Sequence, residues 1–197
     1  FVFLCLGLAG TFFTAMHHIV GATWSVVIRR VADAFSSFLP VAFLLFLVLL
    51  LGVPDIYIWS GSVAAQGEEA NLIVKGGYLS SGFFAIRNLV FLAIWRLFAW
   101  LFRRNSLRQD ETRDPALSKA SLKLAPPFLL LFAITFTLAS FDLLMSLEPT
   151  WFSTIFGVYC WAGLWQSGLA AITIVVILLR RQGALNGVVN RFHYHDL

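Results

Sequence analysis

Hydrophobic positions in this chain come in long blocks rather than in a repeating apolar and polar alternation. Five blocks, at about 2–28, 38–53, 78–102, 126–146 and 152–179, are almost free of charge. Each approaches or exceeds the ~20 residues a helix needs to cross a hydrocarbon core about 30 Å thick. Backbone in lipid must satisfy its own hydrogen bonds, so blocks of this kind predict membrane-spanning helices rather than open strands. Prolines punctuate them. Pro40, Pro126 and Pro127 are expected in first turns, where a missing N–H costs nothing, with Pro54 after a helix end and Pro149 before a helix start. No internal repeat or low-complexity segment interrupts the pattern. The expected fold is all-α, a polytopic transmembrane bundle of five spans forming a single domain over 1–197.

Charge placement then orients the bundle. Eleven of the 14 Lys and Arg residues lie in the segments after the first, third and fifth spans. Only Lys75 lies in the other two connections, and Arg87 and Arg96 fall inside the third span. A bias that alternates with every crossing supports both the span count and a topology with the basic side cytoplasmic. The chain is therefore expected to cross a membrane several times, with its basic connections on the cytoplasmic side. The net charge of +4 reads as loop bias rather than as the mark of an anionic ligand.

Composition narrows the class further. Of 197 residues, 59% are hydrophobic and 12% charged, against about 25% charged in ordinary soluble domains. A mean hydropathy of +0.84, with 20 Phe and 7 Trp, excludes a disulfide scaffold, a disordered tail and a nucleic-acid module. Cys5 and Cys160 both sit in apolar runs and support neither a metal knuckle nor a disulfide framework. Tyr57, Trp59, Trp151 and Trp161 at outer ends, and Trp95 and Trp100 at the inner end, fit interfacial aromatic belts. The chain opens at the edge of a span without an initiator Met or a cleavable signal, and it stops at Asp196-Leu197. The expectation is an internal piece of a longer polytopic protein.

Candidate chemistry lies where the membrane should exclude it. An intramembrane charge costs about 2.5 to 3.5 kcal/mol on insertion scales and calls for a partner, water or an escape route. Arg96 is seven residues, about 10 Å, from the Arg103-Arg104 end and can snorkel to the headgroups. Arg87, near the midpoint of its span, has no such exit. Asp142 is read as the one acidic residue within a span and lies in the same membrane half. An Arg87–Asp142 ion pair or a shared polar cavity is expected, either locking helices together or serving chemistry. In the first span Gly7, Thr11, Thr14, His18, Gly21 and Ser25 form one small and hydroxylated stripe, with His17 beside it. That stripe is either a packing seam or a site where His18 moves a proton or holds a quinone carbonyl. Thr135, Asp142 and Ser146 share a face of the fourth span. Glu148 is expected at the outer interface. His193 and His195 form an HxH pattern that reads as an interfacial polar cluster rather than a metal site, and His17 and His18, adjacent on one helix, cannot both ligate a haem facing them across helices.

Three stretches carry a family resemblance. These are Met16-His-His-Ile-Val-Gly-Ala-Thr-Trp-Ser-Val-Val-Ile-Arg-Arg30, then Lys75-Gly-Gly-Tyr-Leu-Ser-Ser-Gly-Phe-Phe-Ala-Ile-Arg87, and most specifically Ser140-Phe-Asp-Leu-Leu-Met-Ser-Leu-Glu-Pro-Thr-Trp-Phe-Ser-Thr-Ile-Phe-Gly-Val-Tyr159. In order, they resemble the ActF-type quinone-binding subunit 2 of bacterial alternative complex III, a quinol:electron acceptor oxidoreductase. The closing Phe192-His-Tyr-His-Asp-Leu197 is similar to that family's lead-in to a further helix. The resemblance implies an NrfD-like (polysulfide-reductase-type) membrane anchor of about ten spans, of which this chain is about half. It implies a paralogous membrane subunit, iron–sulfur and c-type haem subunits as partners beside the lipid bilayer, and no nucleic acid. It implies quinone or quinol contact with no haem or iron–sulfur cluster in this chain, and His17, His18, Lys75, Arg87, Asp142 and Glu148 as residues of matched motifs. On that reading Asp142 carries protons, Arg87 is its charge partner and His18 a relay, in a subunit of an oxidoreductase rather than a catalyst alone.

Overall fold

A computed structural model describes residues 1–22, 24–60 and 78–185. Its elements are helices: α1 (Val2–Val20), α2 (Val26–Phe35), α3 (Leu39–Leu51), a short α4 (Val53–Ile56), α5 (Ser81–Thr112), α6 (Pro115–Leu143) and α7 (Phe156–Arg181). A 3-10 turn, Ser36–Phe38, joins α2 to α3 so that they run as one 26-residue helix. Among the described residues, five helical rods are long and apolar enough to cross a membrane. The all-α, five-span architecture follows from the block pattern, but several boundaries do not.

The first span ends at Val20, not near residue 28. Gly21 adopts φ +66°, a left-handed cap in which its N–H reaches the His17 carbonyl. The chain then reverses, and residues 26–28 open the second rod, so Arg29 and Arg30 lie on α2 instead of in a connection. His17 and His18 consequently occupy the last turn of α1. Apolar segments separated by only five residues, 21–25, merge in a hydropathy reading; only backbone conformation separates them.

At the same end α5 and α6 outrun their apolar blocks. The 32 residues of α5 make about 48 Å at 1.5 Å per residue, well beyond the ~30 Å core. Arg113 turns the corner at φ 54°. Asp114 then caps α6 by accepting from the Ala116 N–H at 2.8 Å. Pro126 and Pro127 therefore sit inside α6 and not in its first turn. The expectation failed because the polar run 115–125 propagates as helix, supported by Asn105 donating to Ser121 and Ser118 donating to Gln109 across the hairpin.

α1 is the central rod, touching α2, α3, α5, α6 and α7. Its small residues explain the closeness. A Cβ at Gly10 would collide with the Ala32 carbonyl of α2, and one at Gly168 of α7 with Ala9. Small residues let helix axes approach where lipid supplies no hydrophobic drive between helices. An aromatic column, Phe128, Phe132 and Phe136 with Trp95, fills the space between α5 and α6.

Two belt residues assigned to the outer interface are core. Tyr57 is 1% and Trp59 6% exposed, both packed on Phe84. Trp95, assigned to the inner belt, is 1% exposed and donates its indole N–H to Thr135 at 2.8 Å. Trp100 and Trp151 do lie exposed.

Candidate functional site

Two polar regions lie at opposite ends of the bundle. The first is built on α5 and α6. Arg87 donates from Nε to Asp142 Oδ2 and from Nη2 to Oδ1, both at 2.7 Å, a two-pronged ion pair. Asp142 is fully buried and Arg87 is 8% exposed. Asn88, one residue on, donates from Nδ2 to the same Oδ2 at 3.0 Å. The Tyr78 carbonyl accepts from Arg87 Nη1 at 3.2 Å, and the Tyr78 ring lies 3.8 Å from the guanidinium carbon, with Phe83 on it at 4.5 Å.

This site lies nearer its end of the bundle than sequence spacing implied. Arg87 is in the second turn of α5, about 9 Å from Ser81, rather than at mid-span. Asp142 is the penultimate residue of α6. Thr135 and Ser146 fall on the buried face of that rod as the spacing required, with the Ser146 hydroxyl donating to the Asp142 carbonyl. Tyr57 closes the region from α4, donating to the Leu143 carbonyl at 3.2 Å. Burial, then the Asp142 charge, pushes the Tyr57 hydroxyl up to about 12, so it stays protonated as this bond needs. Desolvation raises Tyr78 as well. Each carboxylate oxygen of Asp142 thus meets a cation or an amide, and every charge in the region is paired.

The second region opens at the basic end. There α1, α2, α5 and α6 enclose a cavity of about 410 Å³ lined by Thr14, His18, Arg29, Asp33, Phe102 and Gln109, among others. Asp33 is 6% exposed and accepts from the Thr14 hydroxyl at 2.6 Å. Arg29 Nη1 reaches the His18 ring nitrogens at 3.1 and 3.3 Å. A guanidinium only donates and a neutral imidazole has a single acceptor nitrogen, so one of the two ring nitrogens takes this bond and the ring is in its neutral form here. Its ring lies parallel to Phe102, with centroids 6.1 Å apart. Arg29 Nε is buried without a hydrogen-bond partner. Arg30 pairs with Asp110 at 2.6 Å at the mouth.

Asp33 overturns the expectation that Asp142 is the one acidic residue within a span. Residues 31–37 read as a polar-flanked turn that could extend the second span at its start, and they do so as part of a continuous helix from Val26 through Leu51, which carries Asp33 into the rod. The stripe Gly7, Thr14, His18 signalled that some helix must pack on that face, but not that it is the one carrying Asp33.

The remaining candidates separate. His17 points away from the cavity, donating from Nδ1 to the Phe13 carbonyl at 2.8 Å and packed between Phe13 and Trp24. It reads as a core histidine. Glu148 is exposed beyond α6 and accepts from Thr150. Lys75, His193 and His195 lie outside the described residues. Arg29, Asn88, Tyr57 and Trp95 were not foreseen: Arg29 counted as loop charge, and the other three are polar groups that ordinary interfacial or packing roles would absorb. Among the described residues no group of three or more His, Cys, Asp and Glu is placed to hold a metal.

Compared with models of known protein families and with curated proteins, the chain matches none.

Proposed function

We propose that this chain is an integral membrane subunit of a bacterial quinol-oxidising respiratory complex of the alternative complex III type, working without a redox cofactor of its own. The observation that carries the reading is the polar cavity at the basic end, which brings His18 and Asp33 together below a vestibule of Arg29, Arg30 and Asp110. A carboxylate with a single hydrogen-bonding hydroxyl partner, Thr14, bordering a cavity roomy enough for water and a neutral imidazole is the equipment of proton uptake. Asp33 and His18 would take the proton from the cytoplasm. The Arg87–Asp142 pair, saturated by its partners, would hold α5 to α6 and shape the opposite face toward quinone. The paralogous membrane subunit and the iron–sulfur and c-type haem subunits would supply electron transfer.

A specific observation favours a second reading, a subunit whose polar residues only lock helices. Arg87 and Asn88 between them engage both carboxylate oxygens of Asp142, which leaves it poorly placed to exchange a proton. An independent transporter ranks below both, because such proteins break helices around a midplane site and none of the five rods carries one; the Pro126-Pro127 step lies toward the basic end.

The test uses the assembled complex in proteoliposomes. Asp33→Asn and His18→Phe are expected to leave assembly intact and to reduce proton uptake per quinol oxidised. Unchanged proton stoichiometry in both variants sinks the uptake role, and a reduced yield of assembled complex with unchanged turnover in the fraction that does assemble supports the locking role. If the chain does not co-purify with c-haem and iron–sulfur subunits, the complex itself is the wrong assignment.

A further inference from the structure

Arg96 is a charge within a span that the bundle leaves unanswered among the described residues. It is exposed on α5, and among the described residues no hydrogen bond, ion pair or ring contact engages it. It borders an open groove between α3 and α5, about 650 Å³ in volume, lined by Pro40, Phe43, Leu44, Ala93, Leu97 and Trp100. Apart from Arg96 and the Trp100 indole N–H, that lining offers no polar side chain.

Spacing adds a second cation. Arg96, Trp100 and Arg104 recur every four residues and so share one face of α5. The Arg104 guanidinium lies 5.1 Å from the Trp100 ring, and Trp100 is 43% exposed. The face therefore presents two guanidiniums flanking an interfacial indole, directly beside an apolar channel wide enough for hydrocarbon. Phe43 and Leu44 lie farther from the basic end than Pro40, where α3 begins, so the channel runs from the headgroup level into the membrane.

We propose that this face binds an anionic phospholipid. Its phosphate sits between Arg96 and Arg104, Trp100 marks the headgroup boundary, and one acyl chain lies along Phe43, Leu44, Ala93 and Leu97. The chemistry is complementary at each level. A guanidinium pairs with phosphate oxygens in a way an ammonium cannot. Basic pockets between transmembrane helices on the positive side are where anionic headgroups collect. A lipid phosphate also answers the cost of placing Arg96 below the interface, since it sits deeper than the Arg103-Arg104 end by about two helical turns. The inference does not depend on quinol oxidation and stands or falls separately from it.

The experiment measures phospholipid retained by the purified full-length protein, by native mass spectrometry and by exchange in nanodiscs of phosphatidylglycerol or phosphatidylcholine. Wild type is expected to retain phosphatidylglycerol selectively. Arg96→Gln and Arg104→Gln should each weaken that retention about fivefold, from the roughly 1 kcal/mol that a basic residue contributes at an anionic surface, and Arg96→Lys should recover part of it. Leu97→Trp, which fills the groove while keeping both cations, should also reduce retention. Equal retention of the two lipids, or anionic retention unchanged in Arg96→Gln, overturns the proposal. So does disulfide trapping of a protein helix against Leu97→Cys in the assembled protein, because that face would then be a protein interface. Arg96 faces outward, so its removal does not unpair any buried group, and monodisperse elution of each variant checks that the fold persists.

Discussion

Arg87 and Asp142 show how strongly a single pair of side chains is constrained in a bundle of this kind. Each would be expensive alone in an apolar interior, and together they satisfy each other with two bonds at 2.7 Å. Removing one partner strands a buried charge, which costs about 3 to 5 kcal/mol. Arg87→Leu and Asp142→Leu should each destabilise the detergent-solubilised protein by that amount, and the double variant by less than the sum of the two. Thermal unfolding followed by circular dichroism checks this, and strict additivity would show that the two side chains do not act as a pair. Trp95→Phe is a milder case. It removes the indole N–H but leaves the Thr135 hydroxyl donating to the Leu131 carbonyl, so the expected loss is about 1 kcal/mol in the same measurement. The partner of Arg87 could be reasoned out from charge alone because charge in lipid has few remedies. Asn88 and Tyr57 could not, since an amide or a phenol is tolerated at many depths.

Among the helices, α1 has the least freedom. It contacts five neighbours, and its faces toward α2 and α7 are closed by Gly10 and by Gly168 of α7, where no side chain fits. Gly10→Leu and Gly168→Ile should force these rods apart at about 1 to 3 kcal/mol or more each, seen as dispersed elution and a lower unfolding midpoint. Gly163→Leu on α7, where a Cβ meets nothing within 4 Å, is the control expected to behave as wild type. The small-residue stripe of α1 was visible in the chain, yet its partner was not. Helical spacing assigns residues to a face, but which helix covers that face depends on where the preceding rod stops. Gly21 decides that here by ending α1 some eight residues before the apolar block runs out, which brings Asp33 against Thr14.

For the molecule as a whole, the basic residues gather at one end. Arg30 reaches Asp110 and Arg103 reaches Ser37, so the α1–α2 turn and the α5–α6 hairpin meet there. Positive-inside bias predicts that this end faces the cytoplasm. With Cys5 and Cys160 replaced by alanine, a cysteine introduced at Arg108 should react with a membrane-impermeant maleimide only after permeabilisation. A cysteine at Thr154, beyond the opposite end of α6, should react from outside intact cells. The reverse pattern would invert the bundle.

The number of spans, their helical nature and the unequal charge of the two ends were all present in the amino-acid order, because transfer into lipid is a sum over neighbouring residues and needs no knowledge of distant contacts. The pairing of Arg87 with Asp142 followed from the same energetics. The ends of the rods, the burial of Tyr57, Trp59 and Trp95, the outward turn of Arg96, and the division of His17 from His18 did not follow. Each depends on which helix lies alongside, and that is set by close approaches such as Gly10 on Ala32 between residues far apart in the chain. Hydropathy records how much a segment avoids water; it does not record which of its faces meets protein, lipid or the cavity around Asp33.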